Sequence, residues 1–429
     1  MPRMAAPQII AILVIGLLIG AGVGYAVPTL LAPPATTTTG TKTYTIGIVF
    51  PLTGTLADFG KSFVNAVNLA VDQMNQNLTT AGSTIRFATV VQDDQGTPAG
   101  ALSAVQTIYQ SSSAQLIIGP LTTSEVLGAR DYANTNKIVL VPPASSGTAA
   151  AFPILPGVPH YLFRPGQPGD NFEGSALAQL AVLFQMKNIV YLYRADSSGS
   201  GKYNFTKGLL AQAGIQQTGI QIPPDQNDYS AVVSTASSDV AQAISSGGSY
   251  TTTAVMIDDY GKEAQNIFTH ASTDPQLTKV RWIGVEALND NTLVANPTTG
   301  AFMSLVKLTI TTAYTPSSPQ GRVFLNTFKA KYGATPEPFS NYAYDVTWVG
   351  MLSVLAAGVY SGPAIVAVLP QVANHYFGAS GTPTFLDKNG DQAIAYFAID
   401  LAFQNGTAYS YRQIGLYDGA ANKVTLTGG

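Results

Sequence analysis

The chain has 429 residues, 46% hydrophobic and 10% charged, with a formal net charge of −3. That length suggests two or three compact units, and so balanced a charge argues against nucleic acid, whose phosphates demand clustered Lys and Arg. There is no cysteine, which excludes disulfides, a thiol nucleophile, a thiolate metal site and a lipidated N-terminal Cys.

The first element is apolar. No charged residue lies between Arg3 and Lys42, and Ile9 to Val27 is an unbroken run of apolar residues, Gly and one Tyr. As a helix it would reach about 28 Å, close to the hydrocarbon thickness of a bilayer. Arg3 and the α-amino group precede it, so the positive-inside rule places everything after Val27 outside the cytoplasm. A signal peptide usually has a shorter apolar core and a clear cleavage site. Residues 1–27 are therefore expected to be an uncleaved signal anchor, with free secretion as the alternative if they are cut. Residues 28–43 are a Pro/Thr linker. Asn77, Asn204 and Asn405 open Asn-x-Ser/Thr sequons, compatible with an extracellular address.

From Tyr44 strands and helices alternate. YTIGIVF (44–50) is a strand, and Phe63, Val67, Ala70 and Met74 then fall on one helical face. TIRFATVV (84–91) is the next strand and residues 97–110 the next helix. AQLIIG (114–119) and KIVLV (137–141) are short buried strands with a helix between them. Pro and Gly interrupt the pattern over about 145–168. It restarts with strands at 188–193, 253–257 and 280–284 and helices near 171–186, 201–213, 230–245 and 261–271. A second break covers 313–321, helices follow at 321–332 and 341–359, and a third break covers 378–385. Two strand-like runs, AIAYFAID and YRQIGLY, close the chain. Repeated βα units imply parallel sheets covered on both faces. Two such series with three breaks predict an α/β fold of two doubly wound lobes joined by three crossings: 44–164 plus 313–384, and 165–312 plus 385–429. Ligands of open α/β sheets sit beyond the carboxyl ends of the strands, so the site is expected in the cleft between the lobes.

Several motifs fail. GSGK (199–202) lacks the earlier Gly and the final Ser/Thr of a phosphate loop, and is expected to be a plain loop. DKNGD (387–391) lacks the Gly and Glu of a calcium loop, with Gln392 and Ala398 in their places, and reads as an Asn-Gly turn. His160, His270 and His375 have no spacing for zinc, and no nucleophile elbow is present. Asp93–Asp94 and Asp258–Asp259 are neighbours that a strand points to opposite faces, so they end strands and cap turns. No metal or cofactor is expected.

The segments IGIVFPLTGTLADFGKSFVNAVNLAVDQMN, VVQDDQGTPAGA, LIIGPLTTSEVLGARDYA, IVLVPPASSG, YLFRPGQP, DDYGKEAQNIF, WIGVEALND and NYAYDVTWVG resemble, in order, the type I periplasmic binding proteins of the leucine/isoleucine/valine-binding family. The resemblance implies the two-lobed, three-crossing fold and capture of a small solute for an ABC importer, with hinge closure read by a membrane permease. It also implies ligand residues: Phe59 before the Gly that opens the first helix, Thr123 as a carboxylate-binding hydroxyl, and Ala144 by its backbone. Ser146 would add a hydroxyl, Tyr260 a wall, and Glu286 the partner of the ligand ammonium. Ser145 stands in the same turn. Where the family has an aromatic residue before the Gly of its lobe-two D-x-x-x-x-G motif, this chain has Ser200, with Tyr203 close by.

The chemistry of these residues is coherent on its own. A zwitterion needs neutral donors for its carboxylate, which hydroxyls and helix N-termini supply, and an acceptor for its ammonium, which one acid supplies. Thr123 and Ser146 could equally be helix N-caps, Glu286 a solvated acid, and Phe59 and Tyr260 packing aromatics. The expectation is an extracytoplasmic amino-acid-binding subunit of an ABC importer, tethered by the N-terminal helix because no lipidated Cys exists. The alternatives are a ligand-sensing ectodomain of a signalling system and, less favoured, an amide hydrolase using Glu286.

Overall fold

A computed structural model describes residues 40–154, 160–313, 318–381 and 384–427. The expected anchor at 1–27 and most of the linker lie outside these residues. In chain order the first stretch holds β1 (Lys42–Phe50), α1 (Ala57–Thr80), β2 (Ile85–Asp93), α2 (Pro98–Ser112), β3 (Leu116–Ile118), α3 (Thr123–Asn136) and β4 (Val139–Val141). A second stretch holds α4 (Asp170–Leu183), β5 (Asn188–Arg194), α5 (Ser197–Gln212), β6 (Gln216–Ile222), α6 (Ser230–Ser245), β7 (Thr253–Asp258) and α7 (Gly261–Ala271). It continues with β8 (Arg281–Gly284), a single 3-10 turn (Glu286–Leu288), α8 (Asn291–Ala295), α9 (Pro297–Leu305) and β9 (Thr309–Ala313). Then come α10 (Pro319–Tyr332), α11 (Ser340–Ala357) and α12 (Gly362–Ala373), and last β10 (Tyr396–Asn405), β11 (Ala408–Asp418) and β12 (Lys423–Leu426).

These elements fall into two compact units. Among the described residues, one gathers those up to Ser145, those within Ile154–Gln167 and those within Thr315–Ala393; the other gathers Ser146–Pro153, those within Pro168–Tyr314 and those from Ile394 onward. Among the described residues each unit has its own sheet: four strands ordered β2-β1-β3-β4 in the first, eight ordered β12-β11-β10-β9-β8-β7-β5-β6 in the second.

In the first unit all strand pairs are parallel. β3 and β4 are fully buried apolar triplets, the signature of strands covered on both faces. The α1 face of Phe63, Val67, Ala70 and Met74 is buried to the last atom or nearly so, and full burial of each large side chain contributes about 1.5–3 kcal/mol. α2 starts where Thr97 accepts the Gly100 N–H and Pro98 occupies the first helical position.

The second sheet departs from the parallel expectation. β6, β5, β7, β8 and β9 run parallel, whereas β10, β11 and β12 are antiparallel. Asn405 and Ala408 end and begin paired strands, and so short a connection can join only antiparallel strands. Two boundaries also shift. Ser146–Pro153 belongs to the second unit, where the Ser146 carbonyl accepts the Asp170 N–H at 2.6 Å. Residues 385–393 stay with the first unit, because Leu386 bridges Gln392 and the Arg164 N–H donates to the Gly390 carbonyl at 2.7 Å. The buried Arg164 guanidinium then pairs with Asp391 at 2.7 Å. A third correction concerns GSGK: Gly199 to Lys202 lie in the opening turns of α5, not in a loop, because Asp196 caps that helix by accepting the Gly199 N–H at 2.9 Å.

Candidate ligand-binding site

Parallel strands in register end together. In the first unit Phe50 pairs with Asp93, Ile48 with Ile118, and Ile118 with Val141, so the turns after β1, β2, β3 and β4 share one edge of the sheet. Three helix N-termini, those of α1, α2 and α3, open there. α1 follows the β1 exit turn so closely that a Cβ at Gly60 would lie 1.8 Å from the Pro51 carbonyl oxygen; only glycine lets the helix start at that point. α3 opens with a capping box: the Thr122 hydroxyl accepts the Glu125 N–H, and the Glu125 carboxylate accepts the Thr122 N–H at 2.8 Å and the Leu121 N–H at 3.0 Å. Helix N-termini carry the positive end of the helix dipole, and such an edge suits an anion.

The same edge carries two neighbouring acids, Asp93 half-buried and Asp94 buried. Asp93 receives the Leu52 N–H at 2.8 Å and the Thr53 hydroxyl at 2.7 Å, which ties the β1 exit turn down. Asp94 is fully buried and accepts the Gly96 N–H at 3.0 Å. Burial, then the negative charge of Glu125, pushes its carboxyl up to about 8.

The second unit is built differently at its strand ends. Tyr193 pairs with Asp258 and Ile257 with Gly284, so Arg194, Asp258–Tyr260 and Glu286 emerge along one edge. A Cβ at Gly199 would lie 2.3 Å from the Arg194 carbonyl oxygen, so α5 also starts hard against its strand. Arg194 donates to Asp196 at 2.9 Å and to Glu263 at 2.5 Å, and its guanidinium lies 4.8 Å from the centre of the Tyr260 ring. Beside it the buried Lys202 ammonium meets Glu173 at 2.5 Å, Asp170 at 3.4 Å and Asp258 at 3.5 Å. Burial alone would lower the Lys202 pKa, but Asp170, Asp258 and Glu173 hold it well above its ordinary value. Burial lifts Asp258 to about 7 against the opposing pull of Lys202. Acids outnumber cations along this edge, so it favours a ligand that brings positive charge.

The residues expected from sequence divide between the units. Phe59, in the first turn of α1, is half-buried and stacks on Phe339 with ring centres 6.4 Å apart. Thr123 is buried at the first position of α3, and Thr122, not Thr123, is the cap. Ala144 is half-buried and Ser145 buried, with its carbonyl accepting the Arg164 Nη1 donor at 3.0 Å. Ser146 is half-buried and precedes irregular chain, so it caps no helix. In the second unit Ser200 is half-buried in α5 and Tyr260 half-buried just before α7. Glu286 is 3% exposed at the start of the 3-10 turn after β8, so it is no solvated loop acid.

Tyr203 is not at this edge. It stacks flat on Tyr193 at 4.2 Å, donates to Gln217 at 2.9 Å, and covers Gly219, where a Cβ would meet its ring at 2.4 Å. Gly219 lies in the middle of β6, so Tyr203 is a packing residue. Residues that the sequence reading passed over are Asp170, Glu173, Arg194 and Lys202. Their signal was present: in a chain only 10% charged, two acids three positions apart at a helix start are unusual. Among the described residues no group of three or more His, Asp or Glu side chains is arranged to hold a metal ion.

Comparison with known proteins agrees with this architecture. A family model described as periplasmic binding protein matches residues 43–400. An uncharacterized protein of Methanocaldococcus jannaschii is 24% identical over 405 residues, covering 91% of this chain and 93% of that protein. The branched-chain amino acid transporter substrate-binding protein of Streptococcus pneumoniae, solved with isoleucine, superposes with a TM-score of 0.67 at 19% identity, over 87% of this chain and 100% of that one. An ABC-transporter solute-binding protein of Rhodopseudomonas palustris, solved with 3,4-dihydroxybenzoic acid, gives a TM-score of 0.69 at 16% identity, over 88% of this chain and 98% of that one. At such identities the two structures establish a shared fold.

Proposed function

We propose that this chain, which belongs to the periplasmic binding protein family, captures an amino acid, branched-chain or similar, for an ABC importer. Members of that family are extracytoplasmic solute-binding proteins and not enzymes. The amino acid is the step beyond the family. Its carboxylate is received by the Thr123 hydroxyl, the Ala144 backbone and the Ser146 hydroxyl, beside the N–H groups of the α3 start. Its ammonium is received by Glu286. Phe59, Tyr260 and Ser200 face its side chain.

The observation that carries this reading is the buried Glu286 at the end of β8, set in an edge where acids outnumber cations. Such an edge suits an ammonium and opposes an uncompensated carboxylate. An aromatic acid, the ligand of the Rhodopseudomonas relative, is the second reading; it would bring no cation for Glu286. A thermal-shift screen of the full chain against amino acids and benzoic acids separates the two. Stabilisation by an aliphatic amino acid that Glu286→Gln abolishes supports the proposal, and a response to benzoic acids alone refutes it.

Address and partners extend the same proposal. Residues 9–27 anchor the chain in the membrane, and residues 28–43 give the binding units about 20 Å or more of reach toward a permease. Fractionation of source cells checks this: the chain sediments with membranes and resists salt extraction, whereas recovery in the soluble fraction, shortened at its N-terminus, contradicts it.

A further inference from the structure

Glu286 is the first residue of a turn that is held at both ends. Its N–H donates to Glu173 Oε1 at 2.7 Å, and the Leu288 carbonyl at the other end accepts the Tyr411 hydroxyl at 2.9 Å. Glu173 sits in the first turn of α4 and is 2% exposed. Besides Glu286 it engages two more elements: the Thr311 hydroxyl of β9 donates to Oε1 at 2.5 Å, and the Lys202 ammonium of α5 lies 2.5 Å from Oε2. A buried carboxylate so placed is expensive to desolvate and stays only where its partners are in place. Here the partners come from three elements, and one of them is the backbone of the residue assigned to the ligand.

We propose that Glu173, neutralised by Lys202, is a positioning residue that fixes the 286–288 turn and so aims Glu286 at the ammonium of the ligand. This rests on the reading of Glu286 as the ammonium's partner. The arrangement has a chemical logic. Lys202, which also meets Asp170 and Asp258, supplies positive charge beside Glu173, so that carboxylate stays seated under the turn.

The test compares Glu173→Gln and Glu173→Ala in the full chain. Gln keeps an oxygen that can accept the Glu286 N–H; Ala removes it. The first readout is hydrogen exchange at the Glu286 amide, with the amides of β8 as an internal control. Glu173→Ala is expected to speed exchange at Glu286 about tenfold or more, while Glu173→Gln stays nearer the parent and the β8 control is unchanged. The second readout is the affinity ratio between L-isoleucine and 3-methylpentanoic acid, the same skeleton without the ammonium. Glu173→Ala is expected to lower this ratio about tenfold, with partial rescue by Gln. Equal exchange at Glu286 in all three proteins overturns the inference. Faster exchange with an unchanged ratio leaves the restraint standing and overturns the ammonium assignment on which the aim depends.

Discussion

The guanidinium of Arg194 lies 4.8 Å from the centre of the Tyr260 ring while its Nη1 binds Glu263 at 2.5 Å, so one cation both stacks on a proposed ligand-facing aromatic and balances a buried acid. Glu263 is 3% exposed and Asp259 2% exposed. Burial, reinforced by Glu263, pushes Asp259 well above the ordinary carboxylate range, against the pull of Arg194. Arg194→Met is therefore expected to destabilise the protein by about 3–5 kcal/mol, because it strands buried acids. Arg194→Lys recovers little, since an ammonium reproduces neither the bridge between Asp196 and Glu263 nor the stack on Tyr260. Urea unfolding of the three proteins measures both; a loss below about 1 kcal/mol in Arg194→Met contradicts the role.

Asp94 gives the first unit a pH dependence of known sign. In the folded chain its carboxyl is pushed up to about 8, against an ordinary value of 3.8. Between those two values the folded state holds a proton that the unfolded state has released, so the contribution is fully present at low pH and is lost as pH rises through that window. Asp94→Asn removes the dependence. Its stability relative to the parent is expected to improve between pH 5 and pH 8, by on the order of 4 kcal/mol. Denaturant titrations at both pH values read this out, and a constant difference between the proteins refutes it.

Neighbouring threonines should separate structure from binding. Thr122 caps α3, so Thr122→Ala is expected to cost about 1 kcal/mol of stability with little change in affinity. Thr123→Val keeps shape but removes the hydroxyl proposed to hold the ligand carboxylate, and is expected to weaken binding about tenfold. Calorimetric titration with L-isoleucine beside thermal melts distinguishes them; the reverse pattern moves the carboxylate contact from Thr123 to Thr122.

The first unit also closes on an ion pair. Arg164 is 3% exposed and pairs with Asp391 at 2.7 Å, joining segments far apart in sequence. Asp391→Ala leaves the guanidinium buried without that carboxylate, and a loss of about 3–5 kcal/mol is expected in chemical unfolding. A change within about 0.5 kcal/mol would mean that Arg164 is satisfied without it.

How far the chain announces all this varies by element. β3, β4 and β7 were legible because they are buried along their whole length and read as nearly continuous apolar runs. β6 was not: QQTGIQI lies at the sheet edge with mostly open side chains, so no buried alternation marks it. β9 was hidden for the opposite reason. Its Thr309 and Thr311 are wholly buried, and hydroxyls taken up by Lys307 and Glu173 look polar in sequence. Among the proposed site residues, Thr123 and Glu286 were named through the family resemblance of the segments that hold them. Glu173 could not be, because the bond that gives it meaning joins positions 113 apart. Tyr203 was misplaced since nearness in sequence to Ser200 says nothing of which side of the sheet a helix residue meets.

The most direct measurement is calorimetric titration of the full chain and of Glu286→Gln with L-isoleucine and with 3,4-dihydroxybenzoic acid. The account predicts saturable binding of the amino acid, no binding of the aromatic acid, and a loss of about a hundredfold in amino-acid affinity in Glu286→Gln, the worth of a buried charged hydrogen bond. Saturable binding of the aromatic acid, with no heat from isoleucine and no effect of the substitution, would contradict it.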